Sequence, residues 1–463
     1  MTKLPALLTS VLLAVIAAVL LSLNGCAGTS HANFQQGKHI QHVVVIFQEN
    51  RSTDNLFHDQ TLINRGADIA QSGMDSHGNT ITLNPVDLAA NYDLSHAHTA
   101  FVAMYDGGKM DGANLIPVTC DPGEQNCPPP NLPPNPQYMY VDPSEVQPYF
   151  QLAETYTFGD RMFQTNQGPS FPAHQFILSG TSAPTANSDL FASENPVNGM
   201  GAGCIAAPGT TVKLIDPAGN ESLTQYPCFE HHTLTDLLDA QNVPWRYYAP
   251  GASSIWTAPD AIQHICEPQT QNGHLACTGS DWNNVSLPPD GGSAQILKDI
   301  ANGQLPQVSW VIPTGQESDH AGTNDGSGPS WVASVVNAIG NSPYWANTAI
   351  FITWDDWGGW YDHVAPKIIN SYEYGFRVPL IVVSPYAKAA YISHNTHDFG
   401  SILKFIEETY GLPSLRYADA AADDFSDCFN FNQTPLQFQT INASLSTDYF
   451  LNDRRPPLDP DDD

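Results

Sequence analysis

The sequence predicts an α/β fold: a central, mostly parallel sheet with helices on both faces, interrupted by loop-rich insertions. Three observations predict it. Short apolar runs rich in β-branched residues recur, helical patterns lie between them, and long stretches rich in Pro, Gly, Asn and Cys separate the regular parts. The runs are His42 to Phe47 (HVVVIF), Ala349 to Trp354 (AIFITW) and Val378 to Val383 (VPLIVV). Continuous apolar character over such short spans suits strands buried on both faces of a parallel sheet. The helical patterns are Thr233 to Ala240, with Leu234, Leu237 and Leu238, and Trp331 to Ile339, with Val332, Val335, Val336 and Ile339. A third, Ser401 to Tyr410, carries Ile402, Phe405 and Ile406 and ends at Gly411, a C-cap. Strands alternating with helices imply crossover connections and hence parallel pairing. Stretches 115–145 and 183–300 read as loops or insertions covering the edge of the sheet. No internal repeat is present.

Charge narrows the function classes. Forty-seven acidic against 16 basic residues give a net charge of −31 over 463 residues. Binding to nucleic acid needs clustered Lys and Arg, and the longest basic run is the Arg454-Arg455 pair, so nucleic acid is excluded as a partner. Disorder is excluded too, since 41% of residues are hydrophobic and can bury a large core.

The N-terminus directs the chain to export. Lys3 precedes an uncharged stretch from Leu4 to Leu23, followed by Asn24-Gly25-Cys26. The Leu-x-Gly-Cys ending resembles the lipobox of bacterial lipoproteins, in which the cysteine is lipidated. A secreted or signal-anchored chain is the alternative. The expectation is therefore an exported protein, held at the cell envelope through Cys26 or secreted. Residues 1–26 form the signal peptide, 27–452 a single catalytic domain, and 453–463 an acidic tail. The other seven cysteines fall into near neighbours, Cys120 with Cys127, Cys204 with Cys228, and Cys266 with Cys277, leaving Cys428 alone. Nearest-neighbour disulfides are the simplest pairing, and no Cys-x-x-Cys spacing suggests zinc.

Polar clusters sit where the buried strands end. The first strand runs into Gln48-Glu49-Asn50-Arg51, and the later one into Asp355-Asp356-Trp357-Gly358-Gly359-Trp360-Tyr361-Asp362-His363. Ligands of open α/β sheets bind at the carboxyl ends of strands, so both clusters point to one rim. Glu49, Asn50, Asp355 and Asp356 together look like oxygen ligands for one divalent metal ion, with Ca, Mg, Mn, Zn and Fe all open. Turn chemistry explains either cluster by itself; the coincidence of two at matching positions favours a metal. Ser170, after Gly168-Pro169 and before a helical segment, can serve as nucleophile or as an ordinary N-cap. His96 and His320 stand beside acidic residues in polar loops, which would raise their pKa and suit them to hold a phosphoryl group or protonate a leaving oxygen.

These blocks resemble a known family. His42–Phe57, Asp93–Asp111, Gly159–Ser182 (GDRMFQTNQGPSFPAHQFILSGTS), Val308–His320, Trp345–Pro366, Gly375–Lys388 and Ser401–Leu412 are similar to the bacterial phosphoesterase family. That family includes phosphatidylcholine-type phospholipases C and an acid phosphatase branch, within the alkaline-phosphatase-like superfamily. The resemblance implies that Glu49, Asn50, Ser170, Asp355 and Asp356 bind one metal ion and that Ser170 takes the phosphoryl group as a phosphoserine. It maps His96 onto a phosphate contact, with His320 next in line, and leaves Arg51, Asp362 and His363 as second shell or substrate contacts. A Ser at the nucleophile is more phosphatase-like than Thr. The expectation is therefore an acid-phosphatase-like phosphomonoesterase, with phospholipase C as the alternative and a catalytically inactive lipid-anchored binding protein as the alternative of another class. The ligand is a small phosphate ester or a phospholipid headgroup. The sulfatase cousins are disfavoured, because no Cys-x-Pro-x-Arg occurs. Arg51, Lys109, Arg161, Arg377 and Lys388 are among the basic residues that fall in these blocks, so positive charge is expected to gather at the rim where phosphate is held.

Overall fold

The computed structural model describes residues 36–119, 128–288 and 292–458. The expected lipidation at Cys26, the expected 1–26 signal peptide and the expected Cys120–Cys127 pair lie outside the described residues. Among the described residues no helix is long and apolar enough to cross a membrane.

The central sheet has eight strands. They are β1 (His42–Gln48), β2 (Thr157–Gly159), β3 (Trp245–Tyr248), β4 (Val285–Ser286), β5 (Val308–Val311), β6 (Thr348–Trp354), β7 (Leu380–Val383) and β8 (Tyr391–Ser393), in the spatial order β4-β3-β5-β1-β6-β7-β2-β8. Pairing is parallel from β4 through β6, and again between β2 and β8. β1 and β6, the two apolar runs read from the sequence, lie side by side at the centre and are almost wholly buried. β7 runs antiparallel to both neighbours, unlike the other two apolar runs. Its Leu380 pairs with Thr353, so the connection from β6 returns to the same rim that it left. A strand entered from that rim has to run backwards.

Six helices matter for the site: α1 (Gln147–Thr155), α2 (Ser170–Ser179), α3 (Leu234–Ala240), α4 (Gln295–Ala301), α5 (Gly328–Gly340) and α6 (Phe399–Tyr410). Successive side chains of a strand point to opposite faces, which shows how the helices are divided. Phe47 and Phe351 meet Phe399 and Phe405 of α6, whereas Trp354, on the other face of β6, meets Tyr149 of α1. α6 packs on α2, and α5 packs on α1 and α4. The predicted helices all form. Thr233 caps α3 through a capping box with Asp236, and Gly411 ends α6 in the left-handed region.

The stretch 183–300 does more than cover an edge. It contributes β3 and β4 to the central sheet itself, along with α3 and α4. The aromatic sequence Trp245-Arg246-Tyr247-Tyr248 buries both faces without the β-branched signature that identifies β1 and β6. Two of the expected disulfides are present here, Cys204–Cys228 and Cys266–Cys277.

The loops after β1 and β6 are stitched together below the rim by a buried ion network. Arg377 donates to Asp362 through Nε at 2.9 Å and reaches Asp54 Oδ1 at 3.0 Å, with both carboxylates fully buried. His363 Nδ1 lies 2.6 Å from Asp54 Oδ2, and its Nε2 lies 3.0 Å from Asp68 Oδ1. Burial would raise Asp54, but Arg377 and His363 hold it down to about 2. Burial would lower His363, but the hydrogen bond to Asp54 and the surrounding carboxylates lift it to about 9. The sign follows directly: protonated His363 stabilises the fold fully below the ordinary histidine pKa, and that contribution is lost as pH rises through about 9. We expect an NMR titration to place the His363 midpoint near 9, with folding stability declining above neutral pH over the same interval. A midpoint at or below 6.5 would contradict the network.

Candidate active site

Register alone brings the two acidic motifs together. Gln48 pairs with Trp354 at the carboxyl ends of β1 and β6, so Glu49-Asn50 and Asp355-Asp356 leave the sheet as neighbours. Asn50 adopts φ 60, a left-handed conformation that Asn tolerates better than most residues. In it, the Asn50 backbone N–H donates to Asp355 Oδ1 at 3.0 Å. The Gly-Gly after the acidic pair serves the same close approach. A Cβ on Gly358, at φ 63, would stand 2.2 Å from Asn50 O, and one on Gly359 would stand 2.6 Å from Leu94 Cβ. Gly358 N–H also donates to Asp356 Oδ1 at 2.7 Å, fixing that carboxylate.

Ser170 is the first residue of α2 and is fully buried. Its Oγ lies 3.4 Å from Asn50 Oδ1 and 3.3 Å from Asp356 Oδ2. The helix presents its positive end there, which favours negative charge on the oxygen. Pro172 falls in the first turn, where its missing N–H costs no helical hydrogen bond. His96 Nε2 lies 3.4 Å from Asn50 Nδ2 and 3.9 Å from Asp356 Oδ2. Its Nδ1 faces Leu94 O at 3.1 Å, and a carbonyl can only accept, so that nitrogen carries the proton. The His320 ring is 6.0 Å from that of His96, with Nδ1 held by Ala321 O at 2.7 Å. Asp319, the acid beside it in sequence, accepts from Tyr149 and Trp354 at 2.8 and 3.0 Å.

One residue of the cluster escaped the sequence reading. His174 lies one turn after Ser170 on the same face of α2, and the i, i+4 spacing was the available signal. Its Nε2 lies 3.4 Å from Glu49 Oε1 and 3.9 Å from Asp355 Oδ2. Tyr247 uses its only proton on Trp256 O at 2.8 Å, so His174 Nδ1, 3.3 Å from the Tyr247 oxygen, has to donate to it. Burial lowers the His174 pKa to about 4, leaving the ring neutral. Its Nε2 lone pair then faces two carboxylates.

Those carboxylates make the case for a cation. Glu49 Oε1 and Asp355 Oδ2 are buried without a hydrogen-bond donor among the described residues. Burial, then the charges of Asp355 and Asp356, push Glu49 well above the usual carboxylate range. Asp356 is raised by burial and by Asp355, against the opposing pull of His96 and His320. Two unit charges about 4 Å apart repel by about 4 kcal/mol at an effective dielectric of ~20. Three buried carboxylates and a nitrogen lone pair therefore need protons or a cation between them. Glu49, His174 and Asp355 each place a ligand atom within 4.8 Å of the others, and Asn50 Oδ1, Asp356 and Ser170 Oγ adjoin them. The donor set fits a divalent metal.

The basic residues do not gather here. Arg51 donates to Asp319 O, Leu88 O and Asn55 Oδ1 and stacks on Trp360 at 5.0 Å, behind the acidic cluster. Arg377 holds Asp54 and Asp362, Arg161 pairs with Asp68, and Lys109 pairs with Asp106 at the surface. Lys388 lies over the Tyr391 ring. Among the described residues no Lys or Arg pairs with Glu49, Asn50, Ser170, Asp355 or Asp356. Asp362 and His363 likewise belong to the ion network below the rim, so neither joins the Ser170 cluster.

The chain is 25% identical over 448 residues to a hemolytic phospholipase C of Pseudomonas aeruginosa, covering 85% of this chain but 56% of that one. It is 23% identical over 451 residues to phospholipase C B of Mycobacterium tuberculosis, covering 86% and 78% respectively. The chain thus spans little more than half the length of the first relative. A solved protein of the alkaline phosphatase superfamily from Vibrio parahaemolyticus overlaps 83% of this chain and 71% of its own, at a TM-score of 0.37 and 9% identity. A family model described as the Phosphoesterase family matches residues 40–413, which contain all the residues of the cluster. The chain belongs to the Phosphoesterase family.

Proposed function

We propose that this chain hydrolyses phosphoric esters by transferring the phosphoryl group to Ser170, and that phosphocholine-type diesters are its favoured substrates. The observation that carries the reading is Ser170 Oγ, set between Asn50 Oδ1 and Asp356 Oδ2 at the positive end of α2. A divalent ion held by Glu49, Asn50, Ser170, Asp355 and Asp356, with His174 as a further donor, would neutralise charge on the Ser170 oxygen and on one phosphoryl oxygen. A nitrogen among oxygen donors tilts the choice from Ca or Mg toward Mn, Fe or Zn.

The chain's own groups account for the remaining steps. Asp356 Oδ2 is the nearest carboxylate to take the Ser170 proton. The Ser170 oxygen bonds to phosphorus as the bond to the leaving alcohol breaks in line. His96, protonated at Nε2 as well as Nδ1, donates to the phosphoryl oxygens, and the His320 imidazolium gives its Nε2 proton to the leaving oxygen. Water then hydrolyses the phosphoserine.

Charge placement bears on the substrate. A phosphate monoester is largely a dianion above its second pKa of about 6, and a diester is a monoanion. With the arginines bound to protein groups, the site is better matched to the monoanion. Acidic and aromatic groups flank it as well. Glu194 follows Ser193, whose carbonyl accepts from Tyr372 at 2.9 Å, and precedes Asn195, which accepts from Phe171 N–H at 3.0 Å beside Ser170. Burial and the neighbouring Glu221 push Glu194 up to about 7. His98 lies 3.2 Å from Glu221 and 5.7 Å from the Tyr372 ring. Carboxylates beside an aromatic face suit a quaternary ammonium group. The names of the phospholipase C relatives support the same choice. The phosphomonoesterase reading anticipated from Ser170 stands second, with activity confined to acidic pH, where the monoester is a monoanion.

We expect p-nitrophenylphosphocholine to be turned over faster than p-nitrophenyl phosphate at pH ~7.5, with the ratio reversing toward the monoester below its second pKa of about 6. A faster monoester at neutral pH would overturn the diester choice, and turnover of neither would point to a binding protein. Ser170→Ala should lower both rates by about 10³-fold or more, and a near-normal rate would remove Ser170 as nucleophile. His174→Ala should weaken divalent-ion affinity, read by calorimetry on the stripped protein, by roughly 10- to 100-fold; unchanged affinity would exclude it from the donor set.

A further inference from the structure

The C-terminal segment carries a second group of metal-ligand residues, remote in sequence from the Ser170 cluster. His397 precedes α6, with its backbone paired to Met162. Cys428 is the free cysteine among the described residues and is fully buried, while four other cysteines form disulfides. The two side chains meet. Cys428 Sγ lies 3.8 Å from His397 Nε2 and 3.5 Å from Asp427 Oδ1, and His397 Nε2 lies 3.7 Å from Asp427 Oδ1.

Those three distances can be set against a metal's. Zinc bonds of about 2.3 Å to sulfur, ~2.05 Å to nitrogen and ~2.1 Å to oxygen, arranged tetrahedrally, separate S from N and S from O by about 3.6 Å, and N from O by about 3.4 Å. The observed triangle is within a few tenths of an ångström of that figure on every edge. Ser393 Oγ, 2.9 Å from His397 Nε2, stands where it or a water it holds could take the fourth corner. Ser393 gives its proton to Asp427, so without an ion Nε2–H donates to Ser393 Oγ; ion binding at Nε2 displaces that proton, and Asp423 Oδ1, 2.9 Å from Nδ1, stands ready to accept from Nδ1–H. The Phe425 ring covers the imidazole at a centroid distance of 4.5 Å, and Ser393 and Tyr391 hydroxyls both donate to Asp427 Oδ2. A thiolate and a carboxylate against a divalent ion make a site of zero net charge, which is the condition for burying it.

We propose that His397, Asp427 and Cys428 form a structural zinc site, separate from the active site, that clips the segment around 423–429 to β8 and to the start of α6. Binding displaces the thiol proton to solvent and the His397 Nε2 proton to solvent or to Nδ1, and involves no redox change. The mixed donor set of one thiolate, one imidazole and one carboxylate selects a borderline ion of the zinc class over calcium or magnesium.

The test begins from the full chain carrying Glu49→Gln, Asp355→Asn, Asp356→Asn and His174→Ala, which removes the three active-site carboxylates and the nitrogen donor. After dialysis against zinc, mass spectrometry under native conditions should find one bound equivalent, and none once Cys428→Ser is added. No zinc in the first protein, or retention in the second, would overturn the site. Should Cys428→Ser fail to fold, cobalt decides on the first protein after its accessible thiols are alkylated. A thiolate-to-cobalt charge-transfer band that disappears in Asp427→Asn is expected; absence of the band, or its persistence in Asp427→Asn, would overturn the proposal.

Discussion

Mutual repulsion among buried carboxylates is the constraint on which the rest of the molecule depends. Two adjacent parallel strands end in register, and each delivers acidic or amide oxygens into a space without solvent. The rim is built to keep those groups close despite the cost. Asn50 accepts a left-handed backbone, Gly358 and Gly359 allow the second loop to press against the first, and His174 adds a lone pair where a proton donor would have relieved the strain. Such an arrangement needs protons or a cation between the carboxylates, and a cation held there would act most directly on Ser170 Oγ.

The supporting ion network solves a different problem with the same chemistry. Asp54 and Asp362 are also buried, but they meet Arg377 and His363, so their charge is compensated by side chains. Arg51 similarly satisfies three backbone or amide oxygens under the loops. Positive charge is therefore placed beneath the rim, holding the two loops to each other, and is kept away from the cluster that needs an exchangeable ion. This division explains how a chain with only 16 basic residues builds a site for an anion. Under the proposed function the attraction would come from a divalent ion, the helix end and protonated histidines.

Much of this was legible in the sequence, and the parts that were not share a cause. β1 and β6 are fully buried runs with polar residues placed immediately after them, so both the strands and their convergence could be read locally. The direction of β7 could not be, because Val378–Val383 looks like any strand buried on both faces; only the return of its connection to the same rim sets the sense. β3 was hidden by the aromatic, Arg-containing Trp245–Tyr248, whose burial arises from tertiary packing. The destinations of Arg51 and Arg377 were equally invisible, since membership in a motif says nothing about which way a long side chain turns. His174 sat in plain view one turn after Ser170, but its neighbours Glu49 and Asp355 come from strands far off in sequence. The two described disulfides followed nearest neighbours, whereas His397 reaches Cys428 from 31 residues away.

The most direct measurement is to quench the full protein with acid during turnover of p-nitrophenylphosphocholine and to map the adduct by peptide mass spectrometry. The account predicts a phosphocholine ester on Ser170 that is absent when the divalent ion has been stripped. Turnover at the full rate with no adduct on Ser170, or with an adduct on another residue, would contradict it.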